Sequence, residues 1–195
     1  MVLIVHHRKN LYSELISISP EDGVEIDLRS SDKHIILQHD PFVAGEDFEN
    51  WLEFWKGQFL VLNVKEEGLE KRIIEILSER KIVDYFFLDQ SFPFLQKTVG
   101  DGNRKVAARA SDIESVETAL AIDCAWVWID CFRGDWSFLE EMIPKLTYAH
   151  KKICLVSPEL VRTNSQEELS ELKKIIKKID IEIDAVCSKD SSLWR

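Results

Sequence analysis

Eight short, mostly apolar runs, separated by longer stretches several of which carry apolar residues three or four apart, constrain this chain more than any other feature. They fall at 2–5, 24–28, 59–64, 85–88, 105–110, 125–130, 153–157 and 185–188. Continuous apolar runs suit strands buried on both faces, and strands alternating with amphipathic helices predict an α/β protein with a parallel sheet. Eight repeats favour a closed (β/α)8 TIM-type barrel over an open sheet. Such barrels typically need about 250 residues, so a chain of 195 must carry shortened helices. With 45% hydrophobic residues there is enough for one sizeable core, and a single domain over 1–195 is expected.

The connecting stretches are read as helices. Residues 11–18 make a short helical or irregular segment. Phe48, Trp51, Leu52 and Trp55 mark a helix over 47–56 whose aromatic stripe reads as core packing. Leu69, Ile73, Ile76 and Leu77 mark the next, and a short one runs through Leu95. The spacing Ser111-Asp-Ile-Glu114 predicts a capping box for a helix carrying Val116 and Leu120. Two further amphipathic helices carry Met142, Ile143 and Leu146, and Leu172, Ile175 and Ile179.

The second run differs from the others in chemistry. Val24, Ile26 and Leu28 alternate with Glu25, Asp27 and Arg29, so Glu25 and Asp27 share one strand face. In a sheet covered on both sides two carboxylates face inward, and they need a cation, either a divalent metal or a lysine. After a turn at Ser30-Ser-Asp-Lys33, residues 35–38 return as a short strand that delivers His39-Asp40-Pro41 to the rim. In a barrel of this type chemistry gathers at the C-terminal strand ends. The polar residues expected there are His6, His7, Glu25, Asp27, His39, Lys65, Glu67, Asp89, Arg109, Asp130, Ser157 and Asp190.

A net charge of −10 argues against a nucleic-acid partner or an anionic membrane surface. No apolar run approaches the roughly 20 residues that span a bilayer, so no membrane insertion is expected. The N-terminal residues lack the basic leader of a signal peptide, which makes the expected location cytoplasmic. Cys124, Cys131, Cys154 and Cys187 are widely spaced and sit in or beside apolar runs, as small hydrophobes do. Lys173-Lys174 and Lys177-Lys178 read as the wet face of a helix.

In these motifs the sequence resembles the glycerophosphodiester phosphodiesterase family, among the barrel phosphodiesterases related to phospholipases C. His7-Arg8-Lys9 stands where that family has His-Arg-Gly, and Glu25, Asp27, His39 and Asp40 match its Glu-x-Asp and His-Asp in order and spacing. Ser91-Phe92 and the closing Ile183-Asp-Ala-Val-Cys-Ser-Lys-Asp190 are similar to later family segments. The resemblance implies hydrolysis of a small-molecule phosphodiester, an activity of lipid metabolism. His7 and His39 would be the acid/base pair, Arg8 and Lys65 would bind substrate, and Glu25, Asp27 and Glu67 would hold Mg2+ or Ca2+; apart from the resemblance, Arg109 at the end of its strand is placed to contact an anionic substrate.

Two departures follow from the same comparison. The Glu-Asn-Thr loop after the first strand is missing. The third strand, Leu-Asn-x-Glu-x-Lys in the family, reads Leu62-Asn63-Val64-Lys65-Glu66-Glu67, with lysine and glutamate exchanged. Either Glu67 reaches a metal from nearer the rim, or the Lys65 ammonium replaces the metal beside Glu25 and Asp27. The alternative to an enzyme is a barrel that binds phosphate or phosphodiester without turnover. Arg109 also has a structural alternative, an ion pair with Asp89 or Asp130.

Overall fold

The computed structural model describes residues 2–163 and 165–195. In chain order the elements are β1 (Leu3–His6), α1 (Tyr12–Leu15), β2 (Gly23–Ser31), β3 (His34–Leu37), β4 (Glu46–Asp47), α2 (Phe48–Leu52) and β5 (Phe59–Val64). There follow α3 (Glu70–Glu79), β6 (Tyr85–Leu88), α4 (Phe92–Gly100), β7 (Ala107–Ser111), α5 (Val116–Ala121) and β8 (Trp126–Asp130). The chain ends with α6 (Leu139–Tyr148), β9 (Lys152–Val156), α7 (Gln166–Ile179) and β10 (Ala185–Ser188).

Eight of these strands form the expected (β/α)8 barrel. β1 pairs in parallel with β2 and β10, β2 with β5, β5 with β6, β7 with β8, β8 with β9, and β9 with β10. The remaining seam, β6 to β7, is a single parallel bridge between Phe87 and Val106, where the Phe87 N–H donates to the Lys105 carbonyl at 2.9 Å. β3 runs antiparallel to the end of β2, as expected for a returning strand, and β4 pairs with β3. The two-residue turn between β2 and β3 uses Asp32 at φ +53, a conformation that aspartate tolerates better than most residues.

Two buried layers hold the barrel. Outside it, Val24, Ile26, Leu28, Leu60 and Leu62 pack with residues of the helical layer such as Trp51, Ile73, Leu139 and Leu172. Inside, the alternate positions Val5, Val61, Phe86, Trp126, Cys154 and Ala185 form a separate apolar cluster. Phe86 lies against Trp126 with ring centroids 4.8 Å apart. The same parity carries the next inward positions, His7, Asn63, Leu88, Arg109 and Trp128, to the wall of one pocket at the C-terminal strand ends.

The helices are shortened, as the length requires, and two boundaries differ from expectation. α2 stops at Leu52 because the chain then folds back, with Trp55 Nε1 donating to the Gln58 carbonyl at 2.8 Å and Gly57 at φ +109. Ser111 does not cap α5. It closes β7, its hydroxyl accepts from the N–H groups of Ile113 and Glu114, and Ser115 takes the N-cap by accepting from Glu117. All four cysteines are free and buried. No described helix is long and apolar enough to cross a membrane.

Candidate active site

Because β1 and β2 run side by side, the loop leaving β1 closes onto the two carboxylates of β2. Arg8 adopts φ +51, and its N–H donates to Glu25 Oε2 at 2.8 Å. The Lys9 N–H donates to the Glu25 carbonyl at 2.9 Å without left-handed backbone, so lysine is accommodated where the resemblance expects glycine. Asn10 takes both sides of Asp27: its Nδ2 donates to Oδ2 and its Oδ1 accepts the Asp27 N–H, each at 2.9 Å. Asn63 on β5 donates to Glu25 Oε1 at 2.9 Å.

Beyond this clamp, opposite charges alternate on successive strands. Lys65 Nζ, just past β5, lies 3.0 Å from Asp27 Oδ1 and 4.0 Å from Asp89 Oδ2, which follows β6. Arg109 on β7 joins Asp89 to Asp130 at the end of β8. Asp89 itself stands at φ +60, a strained conformation at a strand end. With His7 and Arg8, these groups surround a pocket of about 200 Å³ whose far wall is Trp128, Val156 and Leu160. A larger cavity, about 620 Å³, lies outside the barrel between α3 and α4 and contains none of them.

Burial sets the protonation states. Desolvation, then the charge of Asp27, pushes the Glu25 carboxyl up to about 7, against the hydrogen bonds it receives. Desolvation followed by the positive charge of Arg8 lowers His7 to about 4, so its imidazole is neutral at pH 7. Burial also raises Asp130 to about 6, opposed by Arg109 and assisted by Asp89 and Glu114. Arg109 is held above its ordinary value although burial works the other way, because Asp89 and Asp130 stabilise its charge.

The structure brings His7, Arg8, Glu25, Lys65 and Arg109 to the pocket wall, buries Asp27 against Lys65 just behind it, and leaves Glu67 and His39 outside. β5 ends at Val64, so Glu67 does not continue its inward face; Glu67 is exposed in the turn that follows. His39 follows β3, next to Gln38, whose N–H donates to the Asp27 carbonyl at 3.0 Å. It is held beside the end of β2, with Nδ1 2.7 Å from Asp40 Oδ1 and its carbonyl accepting from Arg29 at 2.9 Å. Arg109 lines the pocket, but its guanidinium is engaged by Asp89 and Asp130, so it appears in the ion-pair role.

The donor set does not fit Mg2+ or Ca2+, which take six or more oxygen ligands or several waters beside carboxylates. Among the described residues no three His, Cys, Asp or Glu side chains converge as a metal site. Three of the four carboxylate oxygens of Glu25 and Asp27 accept hydrogen bonds from protein, and the fourth, Asp27 Oδ1, faces the Lys65 ammonium. That oxygen is buried without a well-directed hydrogen bond, and a metal bound there would be in contact with a like charge.

Asn10 and Asn63 join the site without having been assigned to it from the sequence, whereas Asp89 stands at the strand end where it was expected. Asn63 carried a signal, since it shares the parity of Val61 and Lys65. Asn10 carried none, because only the folding of the β1 loop over β2 brings it to Asp27.

No protein-family model matches the sequence, and no curated protein matches it. Solved structures do. The chain is similar to a glycerophosphodiester phosphodiesterase from Agrobacterium tumefaciens, with TM-score 0.72 and 12% identity over 100% of this chain and 99% of that one. It is similar also to the Thermotoga maritima glycerophosphodiester phosphodiesterase, with TM-score 0.66 and 17% identity over 97% and 95% of the two chains. A third such structure, from Parabacteroides distasonis, gives TM-score 0.69 and 14% identity over 99% and 84%. Barrel closure, strand order and these likenesses agree: the chain has the glycerophosphodiester phosphodiesterase fold.

Proposed function

We propose that this protein is a phosphoric diester hydrolase acting on a small glycerophosphodiester-like molecule at the C-terminal mouth of the barrel. The observation that carries the reading is the convergence of His7, Glu25 and Lys65 on one pocket of a barrel with this fold, with the buried Asp27 directly against Lys65. His7 lines the pocket with Nε2 3.9 Å from Glu25 Oε2, and burial keeps its ring neutral. A neutral imidazole is a proton acceptor, so His7 takes the base role. His39, engaged through Nδ1 by Asp40, offers Nε2 as the acid.

In the first step a hydroxyl of the substrate next to the phosphate attacks phosphorus. Its proton passes to His7, a new P–O bond forms, the P–O bond to the departing alcohol breaks, and His39 gives that oxygen a proton. Water then opens the cyclic diester with the two roles reversed, giving a phosphate monoester. The arrangement supplies proximity and matched proton transfer, while Arg8, half-exposed at the rim, and Lys65 supply positive charge for the phosphoryl oxygens. The Mg2+ or Ca2+ implied by the resemblance lacks a third protein ligand, and no step runs through it. The substrate is expected to be a soluble small molecule, and the protein cytoplasmic.

His39→Ala tests the assignment. Turnover of glycerophosphocholine should fall by about 100-fold or more, with an unchanged circular dichroism spectrum. Retained turnover overturns the role of His39. Wild-type binding of glycerol phosphate with no turnover of glycerophosphocholine would favour the second reading, a phosphodiester-binding barrel, for which the exchange of lysine and glutamate at 65 and 67 is the supporting observation.

A further inference from the structure

We propose that the Lys65 ammonium, suspended between Asp27 and Asp89, is the cation that meets the phosphoryl oxygens, so that the site works without a divalent metal. This rests on the phosphodiesterase reading above and adds the identity of its electrophile.

Position 65 is where the resemblance expects a carboxylate ligand, and the change inverts the electrostatics of the pocket. Glu25 and Asp27 with a third carboxylate would demand a dication; with a lysine the charges nearly balance. The geometry follows the charge. Lys65 is 16% exposed, its Nζ is 3.0 Å from Asp27 Oδ1, and a well-directed hydrogen bond is missing from that oxygen. The ammonium is therefore held by charge from below and keeps N–H groups free on its pocket side, where three rotatable donors suit a phosphate. Asp89, 4.0 Å away, steadies it from the next strand and is itself fixed by Arg109, which Asp130 anchors in turn. Glu67, the other residue able to rebuild a metal site, is exposed beyond the end of β5.

The experiment measures glycerophosphocholine turnover by wild type and Lys65→Met in EDTA and in added Mg2+ or Ca2+, with calorimetric titration of Ca2+ and of glycerol phosphate beside it. The inference expects wild-type turnover in EDTA equal to that with metal, and a loss of about 100-fold or more in Lys65→Met. Turnover that disappears in EDTA and returns with metal overturns the inference and leaves the phosphodiesterase reading intact. So does Ca2+ binding by wild type that Asp27→Asn removes. If wild type turns over nothing under any condition, the phosphodiesterase reading fails, and the glycerol phosphate titration in EDTA decides on Lys65. Binding that is lost in Lys65→Met supports the lysine as the phosphate cation, and unchanged binding overturns it. Should Lys65→Met fail to fold, Lys65→Arg keeps the charge and should retain binding in EDTA, and the wild-type EDTA and Ca2+ arms stand without either variant.

Discussion

Glu25→Gln should change the pH dependence of folding more than its size. The wild-type carboxyl is 1% exposed and titrates at about 7 instead of an ordinary 4.5. At about 1.4 kcal/mol per pH unit, that difference corresponds to about 3 kcal/mol. Since the folded value is raised, the contribution is fully present below pH 4.5 and is lost as pH rises through 7. His7 acts in the opposite sense: its folded value falls from 6.5 to about 4, so its contribution is present above pH 6.5 and is lost as pH falls through 4. The two nearly cancel in wild type between pH 4.5 and 6.5. Removing the carboxyl unmasks the histidine, and the stability of Glu25→Gln should climb by about 3 kcal/mol from pH 4 to 6.5. Urea denaturation in EDTA at half-unit pH steps measures both proteins. A wild-type to Glu25→Gln difference that stays constant across the window would refute the claim that burial dominates at Glu25.

Other perturbations reach different parts of the barrel, each read by urea denaturation. Arg109→Met removes the shared partner of Asp89 and Asp130 and should cost about 2–3 kcal/mol, less than for a fully buried pair because the guanidinium is partly solvated; no loss would mean the bridge is idle. Phe86→Ala empties the barrel interior between Phe59 and Trp126 and should cost about 3–5 kcal/mol, whereas a loss under 1 kcal/mol would show a collapsible interior. Gly45→Ala places a methyl 2.3 Å from the Leu37 carbonyl oxygen, so β3 must shift, and about 1–3 kcal/mol should be lost; wild-type stability would contradict that contact.

The barrel was legible because its strands are unambiguous in periodicity. Runs such as 59–64 and 85–88 are apolar at every position bar one, and the alternation in 24–28 placed Glu25 and Asp27 on one inward face, where they are found. Parity also carried Lys65 correctly to Asp27. It failed for Glu67 because pairing with β2 persists only one residue past β5, where the Lys65 N–H donates to the Leu28 carbonyl at 3.0 Å, and the chain then turns away. The place of His39 depends on how β3 leaves the barrel mouth, which no local spacing encodes, whereas the ion pairs of Arg109 with Asp89 and Asp130 match the structural alternative read from the strand ends. Ser111 and Ser115 show the same limit at a helix start: both are credible caps, and the one nearer α5 wins because strand β7 uses the other.

Phosphorus NMR of wild-type protein incubated with glycerophosphocholine in EDTA tests the whole account in one spectrum. The diester resonance should give way to a phosphate monoester, and the same sample made with His7→Ala should keep its diester. An intact diester after prolonged incubation with equimolar wild-type protein would contradict hydrolysis at this pocket.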